Sequence, residues 1–285
     1  MVRRSMLYCP GDEREMMEKA VDSGADVVIF DLEDAVAPAA RDEARRAVRE
    51  TIEALENPAP SISVRINPLD RDGSKDVDAV IRDAETLPDS VVLPKVESSE
   101  MVAALTDHLA DVGAESVDVI PLIETAAGLV AAEEIAGAPG VVAVAYGDQD
   151  YTADVGATVT DEKTESLYAR QRVVAAAGAA GVDALDTVYT DIDDADGLRE
   201  QTETVIAFGF DGKLAIHPAQ VYIINEAFTP DPEEIEWAEK VIEGQEQASE
   251  TETAVFTVGG QMIAPRWSTA HGPFSIGPTL RRTTE

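Results

Sequence analysis

Two carboxylates, Glu124 and Asp150, lie where apolar runs of the sequence end. The run 117–123 leads directly into Glu124, and the run 141–147 leads into Asp148-Gln149-Asp150. Runs of this length and β-branched content are typical of fully buried strands. Mg²⁺ commonly takes one or two protein carboxylates and completes its coordination with water and substrate oxygens. The exits of these two strands therefore predict a site for one hard cation, and the residues alone leave open whether Asp148 or Asp150 completes it.

Other polar residues follow apolar runs in the same way, and Arg65, in the third run, adds a positive charge. Any one charged residue at a strand end is commonly a solvated rim residue or a helix cap. The inference of chemistry therefore depends on the combination of two carboxylates with an arginine. The full set of polar residues at run exits comprises Asp31, Glu33, Asp34, Arg65, Asn67, Lys95, Glu97, Glu124, Thr125, Asp148, Asp150, Asp186 and His217.

Eight short apolar runs alternate with longer amphipathic segments. This alternation indicates parallel strands joined by right-handed helical crossovers. Eight such units favour an α/β fold of the (β/α)₈ TIM-barrel type over an open doubly wound sheet. Active sites of such barrels lie where loops follow the strands, which places the polar set on one face. The runs are 6–9, 27–30, 62–66, 91–93, 119–123, 141–146, 182–185 and 214–216, and the helical patterns are 13–23, 41–55, 76–87, 99–112, 128–136, 164–180 and 194–208.

The C-terminal part departs from this alternation. After Pro230 and Pro232 the chain has a helical pattern over 233–247, and the segment 255–263 indicates a small hairpin. We therefore predict a TIM barrel over residues 1–230 and a C-terminal helix with a hairpin-like excursion over residues 231–285.

The composition limits the possible partners. The 285 residues include 22 Lys and Arg against 56 Asp and Glu, which gives a net charge of −34. Such a surface repels phosphate backbones, so we expect neither nucleic acid nor an anionic membrane as a partner. The excess of carboxylates predicts a halophilic enzyme whose fold or activity declines in dilute buffer, because salt screens their mutual repulsion. Cys9 is the one cysteine, so an internal disulfide is excluded, which suits a cytoplasmic protein.

Eight ordered motifs resemble those of the HpcH/HpaI aldolase/citrate lyase family, in particular its citrate lyase β-subunit-like members. These are CoA-thioester carbon–carbon lyases that act on malyl-CoA, citramalyl-CoA or citryl-CoA. The motifs are Arg4-Ser5-Met6-Leu7-Tyr8-Cys9-Pro10-Gly11, Asp31-Leu32-Glu33-Asp34-Ala35-Val36, Val64-Arg65-Ile66-Asn67, Leu93-Pro94-Lys95-Val96-Glu97, Leu122-Ile123-Glu124-Thr125-Ala126, Gly147-Asp148-Gln149-Asp150, Gly209-Phe210-Asp211-Gly212-Lys213 and Ile216-His217-Pro218.

The resemblance implies a magnesium centre and a CoA thioester as substrate. It implies a TIM barrel that assembles as a homotrimer or hexamer, with Mg²⁺ bound by carboxylates that match Glu124 and Asp150. An arginine that matches Arg65 would contact the substrate carbonyl. Backbone amides would bind the substrate carboxylate at Gly147, Asp148 and Gln149. The nucleotide part of CoA would lie near Tyr8, Arg14 and Lys19.

One position departs from the family pattern. Many members have an aspartate directly after the Met-Ile of the C-terminal excursion and donate it to a neighbouring subunit as the acid/base group. This sequence has Ala264 there, and losing a positioned general base typically costs ~10²–10⁴-fold in rate. Either another group serves, such as Glu33, Asp34 or His217, or the reaction differs.

The expected activity is therefore a Mg²⁺-dependent lyase for a malyl-CoA-like thioester. Its predicted catalytic residues are Arg65, Glu33 and Asp34. Two alternatives remain open at this point: a malyl-CoA thioesterase, and a CoA-binding or assembly subunit without turnover.

Overall fold

A closed barrel of eight parallel strands forms the larger part of the structure, which confirms the predicted fold class. The computed structural model describes residues 2–160, 162–250 and 255–263. Each strand pairs with the next, and β8 pairs with β1 to close the barrel. The strands are Ser5–Pro10 (β1), Val27–Asp31 (β2), Ser61–Arg65 (β3), Ser90–Leu93 (β4), Asp118–Ile123 (β5), Ala143–Tyr146 (β6), Asp183–Asp186 (β7) and Gly212–Ala215 (β8).

Helices connect the strands of the barrel, and further helices follow its last strand. Most begin and end within a few residues of the predicted patterns, and Gly181 and Gly209 end two of them with positive φ angles of 74° and 98°. The helices are Arg14–Val21 (α1), Arg41–Ala54 (α2), Ser74–Val80 (α3), Ser99–Asp111 (α4), Ala126–Val130 (α5), Ala132–Ala136 (α6), Asp148–Asp154 (α7), Leu167–Ala180 (α8), Ala195–Phe208 (α9), Pro218–Phe228 (α10) and Pro232–Glu250 (α11).

Three helical features differ from the sequence prediction. The pattern predicted over 76–87 ends at Val80, and Asp83 adopts a positive φ of 57° that a helix cannot continue through. The pattern over 128–136 is divided into α5 and α6, and Thr125 caps α5 by accepting the Gly128 amide at 3.0 Å. Helices α7 and α10 were not predicted; α7 lacks an apolar stripe, since its buried residues include Asp148 and Thr152.

Side chains at alternate strand positions fill the barrel interior. Met6, Ile29 and Leu122 belong to this interior cluster, and Tyr8 packs against it. Because side chains of a strand point alternately to its two faces, a residue two positions after an interior one also points inward. This period places Tyr8, Asp31 and Glu124 at the carboxyl ends of their strands, which we call the barrel mouth.

A buried ion cluster joins β7, β8 and α8. Lys213 Nζ lies 2.6 Å from Asp186 Oδ2, and Arg170 Nε lies 3.0 Å from Asp186 Oδ1. Lys213 and Asp186 are both fully buried. The two cations therefore neutralise a carboxylate that would otherwise be too costly to bury. Asp186, one of the polar residues at run exits, thus has a structural role as the partner of Lys213 and Arg170.

The contacts divide the chain into two compact units, one spanning residues 3–225 and the other beginning at residue 226. In the second unit, the predicted hairpin forms from Phe256–Val258 (β9) and Gln261–Ile263 (β10). Val241 of α11 packs with Val258, Trp237 and Phe256. The division at residue 230 stays a prediction, and Ala264 lies outside the described residues. Among those residues, no helix has the length and apolar content to cross a bilayer.

Candidate active site

Arg65 is held at the barrel mouth by Asp31. The two residues are direct partners in the register of β2 and β3. Arg65 Nε and Nη2 each donate a hydrogen bond of 2.6 Å to the Asp31 carboxylate, one to each oxygen. The guanidinium carbon also lies 4.7 Å from the centre of the Tyr8 ring, within the range of a cation–π contact. A two-pronged ion pair and an aromatic face therefore fix the plane of the guanidinium.

Glu33 lies between two cations. Its Oε1 accepts a hydrogen bond of 2.7 Å from Lys95 Nζ, and its Oε2 is 3.3 Å from Arg65 Nη1. Burial raises the pKa of Glu33, although Arg65 and Lys95 act in the opposite direction. Asp34 also reaches Arg65 Nη1, at 3.4 Å, but it is 63% exposed against 6% for Glu33. Of the two predicted acid/base residues, the structure places Glu33 inside the site and Asp34 at its rim.

Glu124 follows β5 directly and is 2% exposed. Its Oε1 accepts a hydrogen bond of 2.8 Å from the Lys95 amide. Lys95 adopts a positive φ of 53°, an uncommon conformation for a residue with a side chain. Burial raises the pKa of Glu124 to about 8, and the negative charges of Glu33 and Asp150 add to the shift. Glu124 thus lies close enough to two other carboxylates, Glu33 and Asp150, for their negative charges to act on it.

Asp148 and Asp150 lie in different environments. Asp148 is buried, and its carboxylate accepts a hydrogen bond of 3.1 Å from the Tyr146 hydroxyl and one of 3.3 Å from Lys163 Nζ. Asp150 is exposed and acts electrostatically on both Glu124 and Lys95. Asp150 is therefore the aspartate of the two whose charge acts on Glu124, whereas Asp148 accepts hydrogen bonds from Tyr146 and Lys163.

The Glu124–Asp150 pair suits a hard cation with an incomplete protein shell. Both donors are carboxylate oxygens, the preferred protein ligands of Mg²⁺. No group of three or more potential metal ligands occurs within the described part of the chain, so water and substrate oxygens would supply the other positions. A bound cation would also offset the effects of burial and of the neighbouring negative charges, which together raise the pKa of Glu124.

A family model described as HpcH/HpaI aldolase/citrate lyase matches residues 4–218, which include the whole barrel. The chain belongs to this family. The mitochondrial citramalyl-CoA lyase of Mus musculus is 37% identical over 276 residues, covering 92% of this chain and 81% of that protein. A (3S)-malyl-CoA thioesterase of Cereibacter sphaeroides is 35% identical over 260 residues, covering 91% and 89%.

A solved structure of the same family matches over nearly the full length. The protein CitE from Mycobacterium tuberculosis, in complex with magnesium, acetoacetate and coenzyme A, superposes with a TM-score of 0.76 and is 36% identical. The superposition covers 94% of this chain and 95% of that one. This chain and CitE therefore resemble each other in both fold and sequence.

The structure separates the three residues predicted for the CoA nucleotide. Arg14 and Lys19 lie on α1 with side chains 50% and 76% exposed, and they pair with Glu18 and Glu15. Five positions along a helix correspond to a rotation of about 140°, so the two side chains do not share a face. Tyr8 instead contacts Arg65 inside the barrel. The structure thus does not gather the three residues into one group.

The backbone amides predicted for the substrate carboxylate are not equivalent. The Gly147 amide donates to Ile123 O at 3.0 Å, and the Asp148 amide donates to Thr187 Oγ1 at 3.1 Å. The Gln149 amide lies in the first turn of α7, where helix geometry supplies no intrahelical acceptor. Of the three amides, the one at Gln149 is therefore best placed to bind an anion.

Two residues of the site have roles that sequence reasoning missed. Asp31 and Lys95 were recognised only as polar residues at strand ends, whereas Asp31 orients Arg65 and Lys95 contacts both Glu33 and Glu124. The strand period offered a signal for Asp31, since it lies two positions after the interior residue Ile29. His217, the third candidate base, is exposed, and its Nδ1 accepts the Ala219 amide at 3.2 Å near the start of α10.

Proposed function

We propose that this protein is a Mg²⁺-dependent carbon–carbon lyase. Its substrate would be a malyl-CoA-like 3-hydroxyacyl-CoA thioester, and its products acetyl-CoA or a related acyl-CoA and a 2-oxo acid. The observation that carries the proposal is that Glu33 lies 3.3 Å from the oriented guanidinium of Arg65, while the charges of Glu33 and Asp150 both act on the buried Glu124. The mouse citramalyl-CoA lyase and the magnesium and coenzyme A complex of CitE support the same reaction class.

Arg65 would stabilise the charge that develops on the thioester oxygen. Cleavage of the carbon–carbon bond leaves its electron pair on the acyl-CoA fragment as a thioester enolate. A positive group that is already oriented stabilises such an oxyanion without the cost of reorganisation. Asp31 and Tyr8 supply this orientation, since they hold the guanidinium by two hydrogen bonds and an aromatic face.

Glu124 and Asp150 would bind the Mg²⁺. When bound, the ion would polarise the carboxylate and the adjacent hydroxyl of the substrate and lower the pKa of that hydroxyl. The Lys95 amide donates a hydrogen bond of 2.8 Å to Oε1 of Glu124. The other oxygen, Oε2, lies next to Gly147. The Gln149 amide would bind the substrate carboxylate, and exposed Arg14 or Lys19 could contact the phosphates of CoA.

Glu33 would accept the proton of the substrate hydroxyl. Its raised pKa, caused mainly by burial, makes it a better base than an ordinary surface carboxylate. The proton then moves from the hydroxyl to Glu33 as the carbon–carbon bond breaks and the 2-oxo acid forms. Glu33 or the exposed Asp34 can return a proton to the enolate carbon, which completes the acyl-CoA product.

Product analysis tests the reaction class. The protein, in high salt with Mg²⁺, would be incubated with malyl-CoA, methylmalyl-CoA and citramalyl-CoA, and acyl-CoA, free CoA and 2-oxo acid would be quantified. We expect one 2-oxo acid for each acyl-CoA released from at least one substrate, and loss of both products when EDTA removes the metal. Consumption of no substrate would favour a CoA-binding subunit without turnover.

A malyl-CoA thioesterase is the second candidate function. Ala264 replaces the aspartate of many relatives, and the thioesterase of Cereibacter sphaeroides is 35% identical to this chain. In the same assay a thioesterase would release free CoA and a hydroxy acid without any 2-oxo acid. That result would contradict the lyase proposal while leaving a role for Arg65, because thioester hydrolysis also develops charge on the thioester oxygen.

Gly147 gives a specific test of the metal site. A β-carbon at this position would lie 2.7 Å from both Cβ and Oε2 of Glu124, so Gly147→Ala must displace that carboxylate. Since φ is −108° at Gly147, the backbone itself tolerates alanine. We expect Mg²⁺ affinity, measured by titration calorimetry, to fall by about 10–100-fold, the range for lost support of a metal ligand.

Gly178→Ala is the matched control for that variant. A β-carbon at Gly178 in α8 meets no atom within 4 Å. The substitution should leave Mg²⁺ affinity unchanged and raise the free energy of unfolding by about 0.4–1 kcal/mol. Equal Mg²⁺ affinity in wild type and Gly147→Ala would argue against Glu124 as a ligand.

We also propose that the protein assembles as a homotrimer or hexamer. The support is family membership, since the family likeness implies such an assembly. Sedimentation equilibrium in high salt would measure the subunit number. A monomer at micromolar concentration would contradict this proposal without affecting the proposed chemistry.

A further inference from the structure

The hydroxyl of Tyr8 is buried and has no hydrogen-bond partner among the described residues. Leaving a buried donor unpaired is destabilising, so most such groups in proteins are paired. Two other tyrosines, Tyr146 at the end of β6 and Tyr189 after β7, have paired hydroxyls. Tyr146 donates to Asp148 at 3.1 Å, and Tyr189 donates to Asp194 at 2.6 Å. Tyr8 therefore carries a donor that the protein itself does not use.

Tyr8 lies beside groups of the proposed reaction site. It follows Met6 by two positions on β1 and packs against the interior cluster of the barrel. The Arg65 guanidinium carbon is 4.7 Å from its ring centre. The charges of Arg65, Asp31, Glu124 and Glu33 all act on its phenol, so the hydroxyl lies among the groups assigned to catalysis and metal binding.

The phenol of Tyr8 is also protonated, as a hydrogen-bond donor must be. Burial is the main cause that raises the pKa of its phenol. The hydroxyl therefore keeps its proton at neutral pH and can donate a hydrogen bond, whereas it cannot act as a general base.

All three nitrogens of Arg65 already lie close to carboxylates, so a second hydrogen-bond donor would help to bind a substrate oxygen. Two of its nitrogens donate to Asp31, and the third lies within 3.3 and 3.4 Å of Glu33 and Asp34. These carboxylates compete with any substrate oxygen for the same N–H groups. A neutral hydroxyl without an acceptor does not face that competition, and paired donors are a common arrangement for stabilising an oxyanion.

Building on the proposed lyase function, we propose that Tyr8 is a catalytic residue whose hydroxyl donates a hydrogen bond to the thioester oxygen of the substrate. Tyr8 and Arg65 together form the donor pair for that oxygen. When the carbon–carbon bond breaks, its electron pair moves into the enolate and the thioester oxygen becomes negative. Tyr8 keeps its proton throughout, and its hydrogen bond strengthens as the charge grows.

Tyr8→Phe isolates this role because it removes only the hydroxyl. The ring, its packing and its contact with Arg65 remain. We expect kcat to fall by about 10²-fold, as for loss of one oxyanion donor, with a KM change of less than about threefold. The melting temperature of the free enzyme should be unchanged or higher, since no protein hydrogen bond is lost.

Tyr189→Phe is the matched control. It removes a hydroxyl that donates to Asp194, the residue that caps α9. We expect its melting temperature to fall and its kcat to remain that of the wild type. Opposite effects of the two substitutions would distinguish a role in the reaction from a role in folding.

The outcomes separate this inference from the proposed function. Wild-type kcat in Tyr8→Phe, with the wild type releasing a 2-oxo acid, would overturn the role of Tyr8 alone. Release of free CoA without a 2-oxo acid would overturn the lyase, but a decrease in kcat in Tyr8→Phe would still support the hydrogen bond, because hydrolysis also charges the thioester oxygen. Absence of any turnover in the wild type would overturn both.

Discussion

Glu124→Gln is expected to abolish turnover and to weaken Mg²⁺ binding by more than about 100-fold. Mutation of a residue that only supports a metal ligand typically lowers metal affinity by about 10–100-fold. Loss of a charged ligand itself should lower the affinity by more than that. Glutamine preserves the size of the side chain, and its carbonyl oxygen can still accept the Lys95 amide hydrogen. Circular dichroism and the melting temperature should therefore show an intact fold, while calorimetry shows no measurable Mg²⁺ binding.

The pH dependence of Mg²⁺ binding provides a second measurement of the same residue. The metal-free protein holds the Glu124 proton up to about pH 8, compared with the ordinary value of 4.5. Mg²⁺ must displace that proton, so wild-type affinity should rise about tenfold per pH unit below this value and then level off. Because the folded state holds the proton more tightly than the unfolded state, the metal-free protein should also lose stability as the pH rises through this range.

Asn variants of the two neighbouring aspartates test the other ligand. Asp150→Asn should lose Mg²⁺ binding as Glu124→Gln does. Asp148→Asn should retain it and should instead lower the melting temperature, because the buried carboxylate pairs with Lys163 and accepts from Tyr146. The reverse result would assign the metal to Asp148, and full Mg²⁺ affinity in Glu124→Gln would exclude the proposed centre.

The barrel was predictable because its strands are buried on both faces, so that they stand out in the sequence as short apolar runs. A segment such as Val27-Val28-Ile29-Phe30 is fully apolar and fully buried, so composition and position agree. Short helices were less predictable, since their stability comes from tertiary contacts. In α7, for example, two acidic residues stand in the first turn and Thr152 is buried, so no apolar period marks the helix.

The sequence predicts the candidate site residues as a set, but it does not predict the contacts among them. Asp31 and Arg65 are 34 positions apart, and only the register of β2 and β3 makes them partners. Lys95 adopts a positive φ, and its amide donates to Glu124. A lysine in the sequence does not predict this backbone conformation, because residues with a side chain rarely adopt it. The two-residue separation of Tyr8 from Met6 predicts that both side chains point to the barrel interior, whereas the family resemblance implies a nucleotide contact for Tyr8.

The arrangement around Arg65 indicates how the proposed acidic site would stabilise an anion. Three carboxylates lie within 4 Å of the guanidinium, so its net charge is largely compensated before substrate binds. In the proposed mechanism, catalysis would then depend on the orientation of the Arg65 N–H groups as much as on its charge. The bidentate pair with Asp31 is the element that provides orientation, because two parallel hydrogen bonds define both the position and the plane of the group.

Arg65→Lys should therefore reduce kcat by about 10²–10³-fold, the effect of removing a principal oxyanion donor, although the positive charge is retained. A lysine ammonium cannot form the two parallel bonds that the guanidinium makes with Asp31, and it loses the planar contact with Tyr8. Asp31→Asn should reduce kcat in the same direction but by less, because Arg65 remains. Steady-state kinetics of both variants with the preferred thioester would provide the comparison.

Arg4→Lys is the matched control because Arg4 forms a similar fork at the opposite end of the barrel. Its Nε and Nη2 donate to the Asp26 carboxylate at 2.9 and 2.8 Å, just before β1 and β2 begin. Loss of that fork should lower the melting temperature and leave kcat unchanged. If Arg65→Lys kept wild-type kcat, charge alone would suffice at this position, and the orientation supplied by Asp31 and Tyr8 could not be the basis of catalysis.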